Sequence, residues 1–309
     1  MKRVRGVVVC LGLFAPIAMA DFERGAMEYQ QGNFASAIHE WRQSAERGDA
    51  RSQYRLATMY ENGEGVPKSG PDARKWYRLS ADLGHLPAQL RLAEMYLRGH
   101  IVEANPEAAA LWHLRAAEQG SADAQFHLGL FYLEGYGVPQ NNELAARWLT
   151  AAAEQGVTSA QNNLGTLYEN GHGVEQDHAM AVKWYDRAAR SGDGLAQNNL
   201  GAMYANGRGV EHNHAWAVFW FAMALQNGNE AAADNIAISL RNLETRKVAA
   251  SRANVRAGNS TSHDVITQVR EGDMLYILGS TDGWSQVYLE DSRQLGWISS
   301  SLLGQGNSD

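Results

Sequence analysis

Between residues 160 and 168 the apolar positions Leu164, Leu167 and Tyr168 fall at i, i+3 and i+4, which sets them on one face of a helix. That pattern returns along the chain with a step of 36 residues. Tyr60, Tyr96, Tyr132, Tyr168 and Tyr204 form one column, and Trp76, Trp112, Trp148, Trp184 and Trp220 a second. Gly63, Gly99, Gly135, Gly171 and Gly207 keep the same step, as do Gly84, Gly120, Gly156, Gly192 and Gly228. Five full units are expected at 54–89, 90–125, 126–161, 162–197 and 198–233. A shorter first unit at 22–53 carries Trp41, Ala45 and Gly48 in compatible places.

Each unit reads as two helices. On the first, a small residue follows the framework Leu in every unit: Ala57, Ala93, Gly129, Gly165 and Gly201. A small residue there lets a second helix approach closely. The second helix is preceded by Ser69, Asn105, Asn141, Asp177 and Asn213, side chains of the kind that satisfy free helix-terminal amides. It ends at the Gly84 column, where glycine takes the left-handed conformation. The Trp and Tyr columns, fixed in every unit, are expected to form the core between helices.

These residues resemble Sel1-like repeats, relatives of the tetratricopeptide repeat. The pattern A-Q-x-x-L-G-x-x-Y-x-x-G-x-G-V, followed by A-x-x-W-Y-x-x-A-A-x-x-G, is matched almost whole by the later units. The unit at 90–125 departs from it, with Ile101 in place of the second loop glycine. The resemblance implies a right-handed solenoid of antiparallel helix pairs over residues 21–247 and a role in protein interaction. Within it, 231–246 is expected to be one more first helix. Arg241, Glu244, Arg246 and Lys247 are expected to make a solvated closing cap.

After Ala249 the period changes to that of strands. Val265–Val269, Asp273–Gly279, Trp284–Leu289 and Leu295–Ser299 are short strand candidates, and Asp282-Gly283 marks a tight turn between two of them. With Asn254–Gly258 they make five short strands, the content of a small barrel. The segment 252–304 resembles a bacterial SH3 domain, carried by Asn254-Val255-Arg256-x-Gly258, Gly272-Asp273, Gly283-Trp284 and Gly296-Trp297-Ile298. That resemblance is specific for fold and implies contact with the cell wall or a peptide. The chain thus reads as multidomain: an all-α helix-pair solenoid, a linker at 248–251, a small all-β SH3-like barrel at 252–304 and a tail at 305–309.

The N-terminus changes the picture of where the chain works. Lys2, Arg3 and Arg5 precede the apolar run Gly6–Ala15, and Ala18-Met19-Ala20 precedes Asp21, the layout of a secretory signal peptide cut after Ala20. The run is too short to be a membrane anchor. Removal of residues 1–20, with their three basic side chains, would take the net charge from −7 to −10. It would also take away Cys10, the only cysteine, so no disulfide or thiolate chemistry is expected. The acidic balance argues against nucleic-acid binding, which needs a basic surface. The expected location is the periplasm, or outside the cell.

The remaining chemistry is sparse. The Gly-x-Gly-Val loops follow helices, whereas a dinucleotide fingerprint follows a strand, so turn chemistry accounts for them. His178 and His214 share a column, with His172 and His212 nearby, but no supporting carboxylates or HExxH spacing accompany them. His263 near Ser260 and Ser262 has no triad spacing, and there is no nucleophile elbow. No enzyme, metal or cofactor is expected. The variable column just before the framework Leu reads Arg55, Arg91, His127, Asn163 and Asn199, and three positions on it reads Thr58, Glu94, Leu130, Thr166 and Ala202. By resemblance to tetratricopeptide repeats this column faces the inner groove, where amides and guanidinium groups suit extended backbone and carboxylates. The expected partner-binding residues are Arg55, Arg91, His127, Asn163, Asn199, Thr58, Glu94 and Thr166. The reading is an exported adaptor holding a protein or peptide, with the barrel contacting a second partner, peptidoglycan among the candidates. The alternatives are a peptidoglycan-binding accessory of cell-wall enzymes and a secreted effector that binds host proteins.

Overall fold

The computed structural model describes residues 15–99 and 101–305, with side chains from Asp21 onward. The expected signal peptide, residues 1–20, lies outside the described residues apart from the helical backbone of 15–20. Two compact units divide at Trp148 and Leu149.

The first unit is helical. It contains α1 (Ala15–Gln30), α2 (Phe34–Glu46), α3 (Ala50–Asn62), α4 (Gly70–Asp82), α5 (Leu86–Arg98), α6 (Pro106–Glu118), α7 (Ala122–Glu134) and the start of α8 (Asn142–Glu154). The pair α1–α2 is closed by Trp41, which is buried and donates its indole N–H to the Phe22 carbonyl at 3.1 Å. Asp21 is buried and ion-paired to Arg24 and Arg47, so its carboxylate is matched by two guanidinium groups.

The second unit opens with the rest of α8 and continues through α9 (Thr158–Asn170), α10 (His178–Arg190), α11 (Gly194–Asn206), α12 (His214–Gln226) and the short α13 (Ala232–Leu240). The strands follow: β1 (Thr245–Lys247), β2 (Arg252–Arg256), β3 (Val265–Arg270), β4 (Met274–Thr281), β5 (Trp284–Leu289) and β6 (Gln294–Ser299). They form one antiparallel sheet in the order β1-β4-β5-β6-β2-β3, and a 3-10 turn at Ser300–Leu302 follows. The β4–β5 turn holds Asp282 and Gly283 at positive φ, 49° and 78°, as a two-residue hairpin requires.

The repeat chemistry works as its columns imply. Ser69, Asn105, Asn141, Asp177 and Asn213 each accept a hydrogen bond from the amide three residues on, at 2.7–3.3 Å. Their own amides donate back to the carbonyls of Tyr60, Tyr96, Tyr132, Tyr168 and Tyr204 at 2.8–2.9 Å, which closes each loop. The small column is the seat of a ring. A Cβ on Gly201 would lie 2.7 Å from the Phe221 ring, and one on Gly165 2.7 Å from the Tyr185 ring. Where Ile101 replaces a loop glycine, its side chain packs against the core around Tyr77 and Leu92.

Three expectations need correction. Trp112, Trp184 and Trp220 are buried, but Trp76 and Trp148 are half-buried, and the whole Tyr60 column is half-buried. The deep core is made by the residue after the Trp, as in Tyr77, Tyr185 and Phe221, because that position points at the small column. Next, the solenoid has no polar end at 241–247. Arg246 and Lys247 lie in β1, which pairs with β4. The apolar faces of α12 and α13 pack on Tyr288, Tyr276, Leu278 and Leu295 of the sheet, so the sheet itself covers the last repeat. Last, 248–251 is not a free linker. Val248 is buried in the barrel core with Val255, Leu275, Val287 and Ile298, and its amide donates to the Asp273 carbonyl at 2.9 Å.

Candidate interaction surface

A second repeating polar group, to which the sequence reading gave no role, fixes the helices that carry the variable columns. Gln53, Gln89, Gln125, Gln161 and Gln197 are buried. Each donates its side-chain N–H to the carbonyl eight residues earlier, from Ala45, Ala81, Ala117, Ala153 and Ala189, at 2.9–3.2 Å. These carbonyls lie in the last turn of the preceding helix, where each also accepts the amide of the glycine three residues on. The Gln side chain thus ties each first helix to the second helix before it. The A-Q dipeptide in the repeat was the available signal.

The Gln oxygen needs a donor of its own. Gln119 supplies one to Gln89 at 2.6 Å, and Asn227 supplies one to Gln197 at 2.9 Å. The same position holds Leu83 opposite Gln53 and Ser191 opposite Gln161. In those two repeats the buried Gln oxygen has no partner.

On the first-helix face of the first unit, Arg55 is exposed, and Arg91 is ion-paired to Glu61 and Glu94. His127 lies 3.6 Å from the Asp123 carboxylate. Thr58 donates to the Tyr54 carbonyl at 3.0 Å and sits 3.3 Å from the Tyr77 hydroxyl. Arg91, Glu94, His113, Asp123 and His127 come together around a cavity of about 520 Å³, with Tyr54 also on its wall. On the corresponding face of the second unit, Asn163 and Asn199 are half-buried. The Asn199 amide donates to Asn162 at 3.1 Å, and Thr166 lies 3.0 Å from the Tyr185 hydroxyl. Several of the expected ladder residues are therefore held in place by neighbours.

Burial raises the Tyr77 hydroxyl to about 12, so it stays protonated and donates to Glu61 at 2.6 Å. Tyr185 is raised for the same reason and donates to Glu169 at 2.8 Å. His113 takes the Tyr77 position one repeat on, and burial, aided by the neighbouring His127, lowers its imidazole to about 4.

Two other expectations concern chemistry. His212 and His214 meet edge-on, with ring centres 4.4 Å apart, and among the described residues no cluster of three potential metal ligands occurs. Ser260 bonds both Ser262, at 2.6 Å, and His263, at 2.8 Å, all in one exposed loop. A second cleft, about 220 Å³, lies beside β4 and β6 in the second unit. Trp216, Phe219 and Trp297 supply its rings, and Asn213, Thr281 and Gln286 its polar groups. Trp216 keeps 49% of its surface exposed there.

Comparison with known proteins places the repeats. The Sel1 repeat model matches 50–85, 86–121, 122–157, 158–193 and 194–229, more than half of the chain, and the bacterial SH3 domain model matches 251–304. The pair α1–α2 lies outside the matched repeats. A solved Escherichia coli structure, c5321, described as a protective antigen of uropathogenic strains with an SLR fold, is 36% identical over 73% of this chain, with a TM-score of 0.62. The match spans 49% of that protein, about half its length. A Sel1 repeat protein from Oxalobacter formigenes is 30% identical over 71% of this chain and 90% of its own, with a TM-score of 0.62. Comparison with curated proteins gives no match. Thirty-six-residue helix pairs, capped and seated as above and followed by a six-stranded antiparallel sheet, make this chain a member of the Sel1-repeat family with a C-terminal bacterial SH3 domain.

Proposed function

We propose that the protein is an exported, non-enzymatic scaffold that holds an extended protein or peptide segment on the first-helix faces of its repeats. The reading rests chiefly on one contrast. Framework columns repeat with little change, while the exposed to half-buried first-helix column runs through three chemistries, from Arg55 and Arg91 through His127 to Asn163 and Asn199. Neighbours hold Arg91, His127 and Asn199 in place, and Arg55 is exposed. Guanidinium groups match carboxylates, and amides pair with peptide backbone whatever its sequence. The interaction role is what Sel1 repeats joined to a bacterial SH3 domain imply.

Export rests on the basic, apolar and Ala-x-Ala arrangement of residues 1–20. Among the described residues no helix is long and apolar enough to cross a membrane. The barrel is the place for a second contact, with a peptide or peptidoglycan. The half-exposed Trp216 beside Trp297 and Gln286 offers stacking and amide groups of the kind that hold sugar rings or peptide planes.

The experiment is capture of partners by the tagged chain from crosslinked cells, followed by calorimetry with the recovered partner. Replacing Asn163 and Asn199 together by Ala should weaken binding by more than about tenfold, since each lost contact is worth about 1 kcal/mol. Thermal stability should change by less than for a core substitution. Unchanged affinity in the folded double variant moves the site to another surface. Sedimentation of the chain with murein, with no protein partner recovered, favours the cell-wall accessory reading instead.

A further inference from the structure

The cavity between α5 and α7 contains a buried group with nothing to bind. His113 is 4% exposed, and neither ring nitrogen has a hydrogen-bond partner. Its ring is packed by His127, centres 5.0 Å apart, and meets Phe131 edge-on at 5.4 Å. An unpaired buried polar group costs about 1–3 kcal/mol, so its presence calls for a reason.

The repeat columns make the departure plain. Where this position is Tyr, the residue sixteen before it is Glu, as in Tyr77 with Glu61 and Tyr185 with Glu169, and the two are hydrogen-bonded. Where it is apolar, the other is apolar too: Leu149 with Leu133, and Phe221 with Ala205. Among the five 36-residue repeats, only His113 sets a polar ring against an apolar partner, Leu97, and both line the cavity. Leu97 offers the ring no acceptor, and an open space of about 520 Å³ lies beside it.

Around that space two guanidinium groups meet three carboxylates. Arg91 and Arg98 face Glu94, with Glu61 also on Arg91, and Asp123 lies against His127. Buried His113 is neutral at ordinary pH and offers one donor and one acceptor. A carboxylate ligand would find no uncompensated cation, since both arginines are already paired. A carboxamide carries both a donor and an acceptor, matching a neutral imidazole and a rim of mixed charge.

The geometry points to this cavity as a specificity pocket for a side-chain carboxamide, Asn or Gln, of a peptide segment lying on the first-helix face. Both His113 nitrogens lack accessible surface in this state, so the amide would meet the guanidinium and carboxylate groups at the rim and pair with a His113 nitrogen once the ring turns toward the space. This inference rests on the scaffold reading above and adds to it the chemical class of one anchor.

The test uses the full chain labelled with 15N at histidine, titrated with N-acetylglutamine methylamide. N-acetylglutamate methylamide and N-acetylnorvaline methylamide serve as the charged and apolar comparisons. The His113 ring signals are assigned by their loss in the variant. The expected result is a saturable shift of the His113 nitrogens with the glutamine compound, at least about fivefold weaker with the other two. The double variant His113→Tyr, Leu97→Glu restores the pair used by Tyr77 and Glu61, and it should fold and lose the glutamine response seen at His127. If it does not fold, His113→Leu, which takes the residue found at Leu149, replaces it. No saturable shift, or equal response to the glutamate or norvaline compound, overturns the pocket. Peptides selected from a displayed random library separate the two readings. Peptides that bind wild type and double variant equally overturn the pocket and leave the scaffold standing. A glutamine-specific His113 shift with no selected peptide supports the pocket and counts against the scaffold.

Discussion

His113 also sets a titration that can be read without any ligand. Its folded value near 4 lies below the ordinary 6.5, because burial disfavours the charged ring. Above about pH 6.5 both folded and unfolded chains hold it neutral. Between about 6.5 and 4 only the unfolded chain takes up the proton, so acidification through that window favours unfolding, and below it the loss levels off. The full loss is about 3 kcal/mol for a shift of this size. Urea melts at pH 7.5 and pH 4 should therefore show a smaller fall for His113→Leu than for wild type, and equal falls would mean the ring is not buried neutral. Trp184 carries the second residue-scale prediction. It is 5% exposed and has Arg187 4.6 Å over its ring. Trp184→Ala should cost roughly 3–5 kcal/mol in urea melts, and a change below about 1 kcal/mol would place the Trp column on the surface. The Trp column was legible from its period. The environment of His113 was not, because nothing in the local sequence shows that Leu97, sixteen residues away, would be its neighbour.

Whole elements were legible wherever a periodic signal had several residues to act on. The caps at Asp177 and Asn213, the glycine ends of the second helices and the Asp282-Gly283 hairpin follow from local chemistry alone. β1 was missed because Thr245-Arg246-Lys247 is three residues long, polar, and held by β4 rather than by any pattern of its own. For the same reason the sheet's cover over α12 could be read only as a polar cap. The apolar run of α12, with Trp216, Phe219 and Phe221, was the signal against that, since a terminal helix facing water has no use for so many rings. The Gln ladder gives a prediction at this scale. Ser191 has φ −85° and ψ 4°, almost the backbone of Gln119 at −84° and 3°. Ser191→Gln should therefore present a donor to the unpaired Gln161 oxygen as Gln119 does to Gln89. The expected gain is about 1 kcal/mol, seen as a higher urea midpoint with unchanged slope. A loss of stability would mean that the ladder does not bridge successive repeats in the way Gln119 implies.

At the scale of the whole molecule, the sequence carried the family and the domain order, because a 36-residue period is a property of the chain rather than of any one site. It could not carry the interaction surface to the same degree. Arg91 and Glu94 read as separate rungs of a ladder, yet they are one ion-paired group with Glu61. Which rungs meet a partner depends on such side-chain pairing, and that is set between repeats. The central claim is that the first-helix faces hold a partner segment. It is tested most directly by placing a photo-crosslinking benzoylphenylalanine at single positions in the full chain in cells. Position 55 and position 163 lie in the first-helix column, while Arg147 and Lys183 are exposed on second helices and serve as the comparison. The account predicts that one defined protein is crosslinked from 55 and 163 and not from 147 or 183. Crosslinking from the second-helix positions alone, or from none of the four while the chain is folded and exported, would contradict it.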